Sequence, residues 1–441
     1  MMRCMIIHLG MEKLVKEYKK YAKEMLDFIE QSPSCFHAIW NIKKELEKAG
    51  YVELSEKEAW KIAWGASYYV TRNDSSIIAF QMPKNEAKGF HMIASHSDSP
   101  TFKVKENPEM DVEKQYVKLN TEKYGGMILS TWLDRPLSVA GRVAVREKHG
   151  IVAKLVNIDK DLLVIPNVAI HMNREMNKGV EYNSQVDMLP LFGAADGKEK
   201  DAFLEMVAKA ADVERENILG HDLFLYVRDK GRMIGSKEEY VLSPKLDDLQ
   251  CAYVSVKALL ESTPKDYIDV CAVFDNEEVG SGTRQGADST FLEDVLVRIS
   301  ETLNMSRGEY ARLIADSFLI SADNAHAVHP NHPEKADPTN RPYLNGGIVI
   351  KYHGSQKYTT DAITGAKMKD WCEKAGVPCQ TYANRSDIAG GSTLGNISTA
   401  HVSVASVDIG LPQLAMHSAV ETAGAKDIQY ALKALKIFYT E

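Results

Sequence analysis

The spacing of apolar positions predicts helices at both ends of the chain and mostly strands between them. Val15, Tyr18, Ala22, Met25 and Ile29 recur at helical intervals, Ser32-Pro33-Ser34 interrupts them, and Ile39, Ile42 and Leu46 carry a second helix to Gly50. SYYVTR (67–72), SIIAFQM (76–82) and GFHMIASH (89–96) read as strands. The texture changes between residues 104 and 240. There, GRVAVREKHGIVAKLVNI (141–158) reads as a hairpin around a Lys-His-Gly turn, helical patterns are scarce until 202–212, and RDKGRMIGSKEEY (228–240) reads as a solvated boundary. Beyond Ser243, strand and helix alternate. A helix is predicted over 250–262, buried strands over 267–275, 317–323, 347–352 and 401–410, and a closing helix carrying Ile428, Leu432, Leu435 and Phe438. This alternation predicts an α/β layer fold, with the β-rich middle inserted into it.

A chain of 441 residues exceeds one ordinary core and suggests two or three domains. Hydrophobic residues at 44% and charged residues at 26% are the mix of a soluble globular protein. The 53 basic and 61 acidic residues leave a net charge of −8, which argues against nucleic acid or an anionic membrane as partner. No apolar run reaches the roughly 18 residues of a membrane span. The opening MMRCMIIHLG lacks a small-residue cleavage site and reads as a short extension before Met11 rather than a signal peptide. Six scattered cysteines (Cys4, Cys35, Cys251, Cys271, Cys372 and Cys379) form no CxxC pair and no disulfide framework. A reducing, cytoplasmic location is the expectation.

Residues able to bind metal gather at the ends of predicted strands. His96 and Asp98 end one strand, Glu277 and Glu278 follow another, Asp323 ends a third, His417 follows the fourth, and Asp247 and Asp248 open a helix. In open α/β sheets, ligands bind beyond the carboxyl ends of strands. Two histidines with three carboxylates, one of them bridging, complete two half-sites suited to zinc, cobalt or manganese. Two ions activate a water and clamp the attacked carbonyl. Asp98 could orient the His96 ring, and one of the paired glutamates could stay free to carry a proton. Each cluster alone is weak, since Asp247 could be a helix cap and Glu277-Glu278 a solvated pair. HAVHPNH (326–332) is not a helical metal motif, because Pro330 and Pro333 keep its histidines off one face. HExxH, GxSxG and the Walker loop are absent.

HSDSP (96–100), YGG (124–126), TWLDRPLSVAGR (131–142), IPNVAIHMNRE (165–175), PKLDDL (244–249), FDNEEVGS (274–281), ADNAHAVHPN (322–331), IKYHGSQKY (350–358), RSDIAGGSTLG (385–395) and VDIGLPQLAMHSAVE (407–421) closely resemble the aspartyl aminopeptidase family, in its bacterial branch. The likeness runs in order from about residue 15 to the C-terminus.

The resemblance implies a three-layer α/β/α catalytic domain (11–103 and 241–441) with an inserted β-rich dimerisation domain (104–240). It implies two divalent ions, most simply zinc, held by His96, Asp247, Glu278, Asp323 and His417. Asp247 would bridge the ions and precede a cis peptide. His96 and Asp323 would complete one site, and Glu278 and His417 the other. Glu277 would be the general base acting on a water between the ions, and Asp98 the orienting carboxylate. His171 would reach a neighbouring subunit's site within a tetrahedral dodecamer built from dimers. Asp323, His326 and Lys351 would contact substrate, Lys351 pairing with an acidic first residue. His353 and Lys357 stand where the family often has Asn and Arg, which leaves room for broader specificity. A carboxypeptidase or deacylase would instead need an arginine fork, for which Arg385 is the candidate. A non-catalytic scaffold would have no use for a free glutamate.

Overall fold

The computed structural model describes residues 17–195, 201–388, 390–391 and 393–441, so Cys4, Val15, Ala389 and Ser392 lie outside the described residues. The central sheet has nine strands, in the order Val52–Glu53, Ser67–Arg72, Ser76–Gln81, Tyr267–Phe274, Gly89–His96, Phe318–Ala322, Ala405–Gly410, Ile348–Tyr352 and Cys379–Ala383. Its middle four strands, from Tyr267–Phe274 to Ala405–Gly410, are mutually parallel, so their carboxyl ends share one edge.

The two-residue period of these strands builds three layers. Ile77, Ala79, Ile93, Cys271 and Val273 point into one core with the helices Cys35–Lys48, Leu246–Leu260, Ala362–Ala375 and Asp427–Tyr439. Their neighbours Ile78, Phe80, Met92, Ala94, Val270 and Ala272 point into a second core with Phe291–Thr302. Strands buried on both faces explain the unbroken apolar runs in the sequence.

A separate six-stranded antiparallel sheet is formed within residues 101–227, in the order Gly150–Asn157, Leu137–Glu147, Ile218–Val227, Thr101–Val112, Tyr116–Tyr124 and Leu191–Ala194. It has its own core, in which Phe102, Val139, Phe203 and Leu223 are buried. The predicted hairpin closes through the two residues between Glu147 and Gly150. Residues 228–240 are more than a boundary. Arg232–Ile234 and Tyr240–Ser243 pair with each other and extend a third sheet, through Glu421–Gly424 and Pro412–Leu414, to Ala325–His326.

Two further elements differ from the sequence reading. The strand predicted over 401–410 starts only at Ala405, because His401 closes the helix Leu394–His401. The helix predicted from residue 250 starts at Leu246, across a break where Asp247 and Asp248 have non-helical backbone angles and share a cis peptide. Among the described residues, no helix is long and apolar enough to cross a membrane.

Candidate metal centre

The shared carboxyl edge of the parallel strands assembles the centre. His96 is the last residue of Gly89–His96, Asp323 directly follows Phe318–Ala322, and Glu277 and Glu278 sit in a single turn just past Phe274. Asp247 enters from the break at the start of Leu246–Leu260. His417 comes from a turn between Pro412–Leu414 and Glu421–Gly424, in the third sheet.

These residues converge into three overlapping groups whose ligand atoms lie within 4.8 Å of one another: His96, Asp247, Asp248 and Asp323; His96, Glu277 and Glu278; and Asp247, Glu278 and His417. His96 Nε2 is 3.6 Å from Asp247 Oδ1 and 3.9 Å from Asp323 Oδ1. His417 Nε2 is 3.4 Å from both Asp247 Oδ2 and Glu278 Oε2. The two oxygens of Asp247 thus face different histidines.

The other ring nitrogens are held. His96 Nδ1 is 3.1 Å from the Asp98 carbonyl and 3.3 Å from Asp98 Oδ1. His417 Nδ1 is 2.5 Å from the Gly126 carbonyl. Both arrangements leave Nε2 free of a proton when Nδ1 carries it, the form that binds a cation. Asp98 also accepts from Tyr124 Oη at 2.8 Å and from the backbone N–H of Glu277 and Glu278 at 3.2 Å.

The donor set fits metal. Buried Asp247 Oδ1 and Glu278 Oε1 have no hydrogen-bond partner, an expensive arrangement unless a cation faces them. Asp248 is less available, since its Oδ2 accepts the backbone N–H of His96 at 3.2 Å. Burial disfavours the Asp247 charge, yet the close approach of the His417 and His96 rings prevails and holds its pKa below the usual carboxylate range. Burial pushes Glu277 up to about 7, with attraction to His96 opposing repulsion from Asp323 and Asp98.

The remaining predicted residues fall in different surroundings. Lys351 does not stand at a free strand end. It is 3% exposed, and its Nζ lies 3.4 Å from Asp323 Oδ2 and 5.5 Å from the Tyr358 ring centre. Burial works against its charge, but Asp323 outweighs it and raises its pKa. His326 borders a cavity of about 270 Å³ with Tyr358, Tyr382 and Arg385. The Arg385 fork is already engaged by Asp387, at 2.9 and 2.8 Å. His171 lies in an exposed turn between the strands Gly150–Asn157 and Leu191–Ala194. The sequence reading missed Glu421, which accepts the backbone N–H of Asp247 at 3.0 Å and of His417 at 2.7 Å. Tyr124 and Gly126, within the YGG motif, are two more residues whose part in the site shows only in the structure.

A cluster of mixed metal-binding side chains at the carboxyl edge of the parallel strands of an α/β sheet is the plan of a metallohydrolase. The family described as aminopeptidase I zinc metalloprotease (M18) matches residues 28–439, and the chain belongs to it. A probable M18 family aminopeptidase 2 of Clostridium novyi (strain NT) is 50% identical over 431 residues, covering 96% of this chain and all of that one. A protein of the same description from Ectopseudomonas mendocina (strain ymp) is 39% identical over 94% of this chain and 97% of its own length. Among solved structures, the cryo-EM structure of the Ape4 and Nbr1 complex is similar with TM-score 0.93 and 37% identity, covering 96% of this chain and 86% of that one. The S. cerevesiae mApe1 dodecamer is similar with TM-score 0.84 and 28% identity, covering 96% and 97%. The chain is a metal-dependent aminopeptidase, a hydrolase of the M18 family.

Proposed function

We propose that this aminopeptidase holds two divalent ions, most simply zinc, and removes acidic N-terminal residues from peptides. The observation that carries the reading is Asp247, whose two oxygens face His96 and His417 separately. Asp247 would be shared by the two ions, with His96 and Asp323 holding one and Glu278 and His417 the other. Two ions there would polarise the scissile carbonyl and make a water between them easier to deprotonate. Glu277, in the same turn as Glu278, takes that proton and delivers it to the leaving amine. Asp98 keeps His96 oriented and, through two backbone N–H groups, sets the Glu277-Glu278 turn.

The substrate side chain is assigned to the His326 and Lys351 region, with Asp323 close by. A buried ammonium favours an acidic side chain, because a neutral one leaves it without a second partner. The Lys351–Asp323 pair also supports a second reading, a broader aminopeptidase, since Asp323 already meets part of the lysine's demand.

Residues 104–240 are proposed as a dimerisation domain inserted in the catalytic domain. The exposed apolar side chains Val168, Ile170 and Met172 around His171 support a subunit contact there, with His171 completing a neighbour's site. The mApe1 dodecamer supports a dodecamer for this chain, which we propose is tetrahedral and built from dimers. The test is the initial hydrolysis rate on matched peptides beginning with Asp, Glu or Leu, free and N-blocked, after zinc reconstitution. An acidic preference of about tenfold or more supports the Lys351 assignment, and faster Leu release refutes it. Cleavage of N-blocked peptides would refute the need for a free amine.

A further inference from the structure

We propose that Glu421 is a positioning residue of the metal centre, one buried carboxylate fixing the backbone of the two ligands Asp247 and His417. The proposal rests on the ligand assignment above. Neither ligand sits in regular structure. Asp247 has φ −85° and ψ 108° inside a broken helix start, and His417 has φ +65°, a left-handed conformation that a histidine adopts at a cost. Their N–H groups therefore have no ladder or helix partner, and a buried N–H left unpaired costs about 1–3 kcal/mol.

Glu421 supplies both acceptors. Its backbone pairs with Ser243 in the third sheet, at the entrance to the Asp247 segment and four residues beyond His417. From there Oε2 accepts from Asp247 N–H at 3.0 Å and Oε1 from His417 N–H at 2.7 Å. Gln413 Nε2 approaches Oε1 at 3.5 Å, and the whole side chain is 2% exposed. The His417 carbonyl and ring are tied separately, to the Ile128 N–H at 3.0 Å and to the Gly126 carbonyl. Among the described residues, Glu421 is the side chain that accepts the backbone N–H of both ligands. It fixes the distance between a ligand that would serve both ions and one that would serve a single ion, before any cation arrives.

Glu421→Gln tests this, because an amide keeps one acceptor and turns a donor towards the other N–H. Zinc affinity is measured by competition with a chromogenic chelator, alongside kcat, KM and the melting temperature of the metal-free protein. The expected result is at least about tenfold weaker zinc binding and a lower kcat, with KM within about twofold and the metal-free melting temperature lowered by no more than about a few degrees, the cost of one unpaired N–H. Glu421→Asp keeps the carboxyl group but is one methylene too short to reach both N–H groups, and the same loss is expected. A glutamine variant that binds zinc like its parent, or an aspartate variant that matches it, overturns the proposal. So does a fall in metal-free stability that accounts for the whole loss, since Glu421 would then hold the fold and not the ligands. A parent protein that binds no zinc overturns the ligand assignment itself and this proposal with it.

Discussion

Asp98→Asn tests the orienting role proposed for this carboxylate. Asp98 Oδ1 accepts from the Glu277 N–H and faces His96 Nδ1, while Oδ2 accepts from Tyr124 Oη and the Glu278 N–H. Asparagine has nearly the same shape but one acceptor oxygen and no charge. Whichever way the amide turns, its NH₂ faces at least one backbone N–H. A hydrogen bond to a charged partner contributes about 1.5–3 kcal/mol, so one lost bond corresponds to a factor of roughly 10 to 150. The lower part of that range is expected, because the backbone carbonyl of Asp98 also lies 3.1 Å from His96 Nδ1 and keeps the ring's tautomer. The predicted effect is a fall of about 10–50-fold in zinc affinity or in kcat at saturating zinc. Tyr124→Phe removes a single donor and leaves the carboxylate in place, so its effect should stay under about tenfold. Chelator competition and steady-state kinetics on both variants give the answer. Parent-like behaviour of Asp98→Asn, or a larger loss in Tyr124→Phe than in Asp98→Asn, refutes the reasoning.

Glu277→Gln should retain zinc while kcat falls by about 10²–10⁴; loss of bound zinc would instead make Glu277 a ligand. Lys351→Met should reduce the rate ratio of Asp to Leu peptides by at least about tenfold, and an unchanged ratio would remove Lys351 from substrate recognition. His91, stacked on Tyr267 at 3.7 Å and Phe438 at 4.4 Å, has its pKa lowered by burial to about 4. Its neutral form is therefore favoured by folding, so the stability it contributes is intact above about pH 6.5 and is lost as pH falls towards 4. The loss by pH 5 is about 2 kcal/mol, so His91→Phe should flatten the fall in urea midpoint between pH 7.5 and pH 5. An unchanged slope would mean that His91 accepts a proton in the folded state.

The parts of the fold that bury apolar faces were legible in the sequence, because periodicity records burial directly. GFHMIASH and YIDVCAVFD are buried on both faces and read as strands, and the structure pairs them in parallel register from Gly89 and Tyr267 to His96 and Phe274. HVSV (401–404) misled because its alternation matches a strand, although the helix Leu394–His401 consumes its first residue. The Arg232–Ile234 hairpin was hidden by its charge, since a short edge strand with one wet face carries little apolar signal. At the metal centre, residue types that bind cations at strand ends were visible as such, and so was the HxD spacing.

Glu421 was invisible for a physical reason. Its acceptor role depends on two backbone N–H groups, and backbone N–H groups carry no residue identity. What frees those N–H groups is the broken helix start at Asp247 and the left-handed turn at His417, and neither is encoded by a glycine or proline at the position concerned. The partner is set instead by the register that brings Ser243 opposite Glu421, a contact between segments 178 residues apart. Side-chain chemistry can be read along a chain, whereas the carboxylate that steadies it is chosen by strand pairing. Glu421 therefore becomes recognisable only when the third sheet is in view.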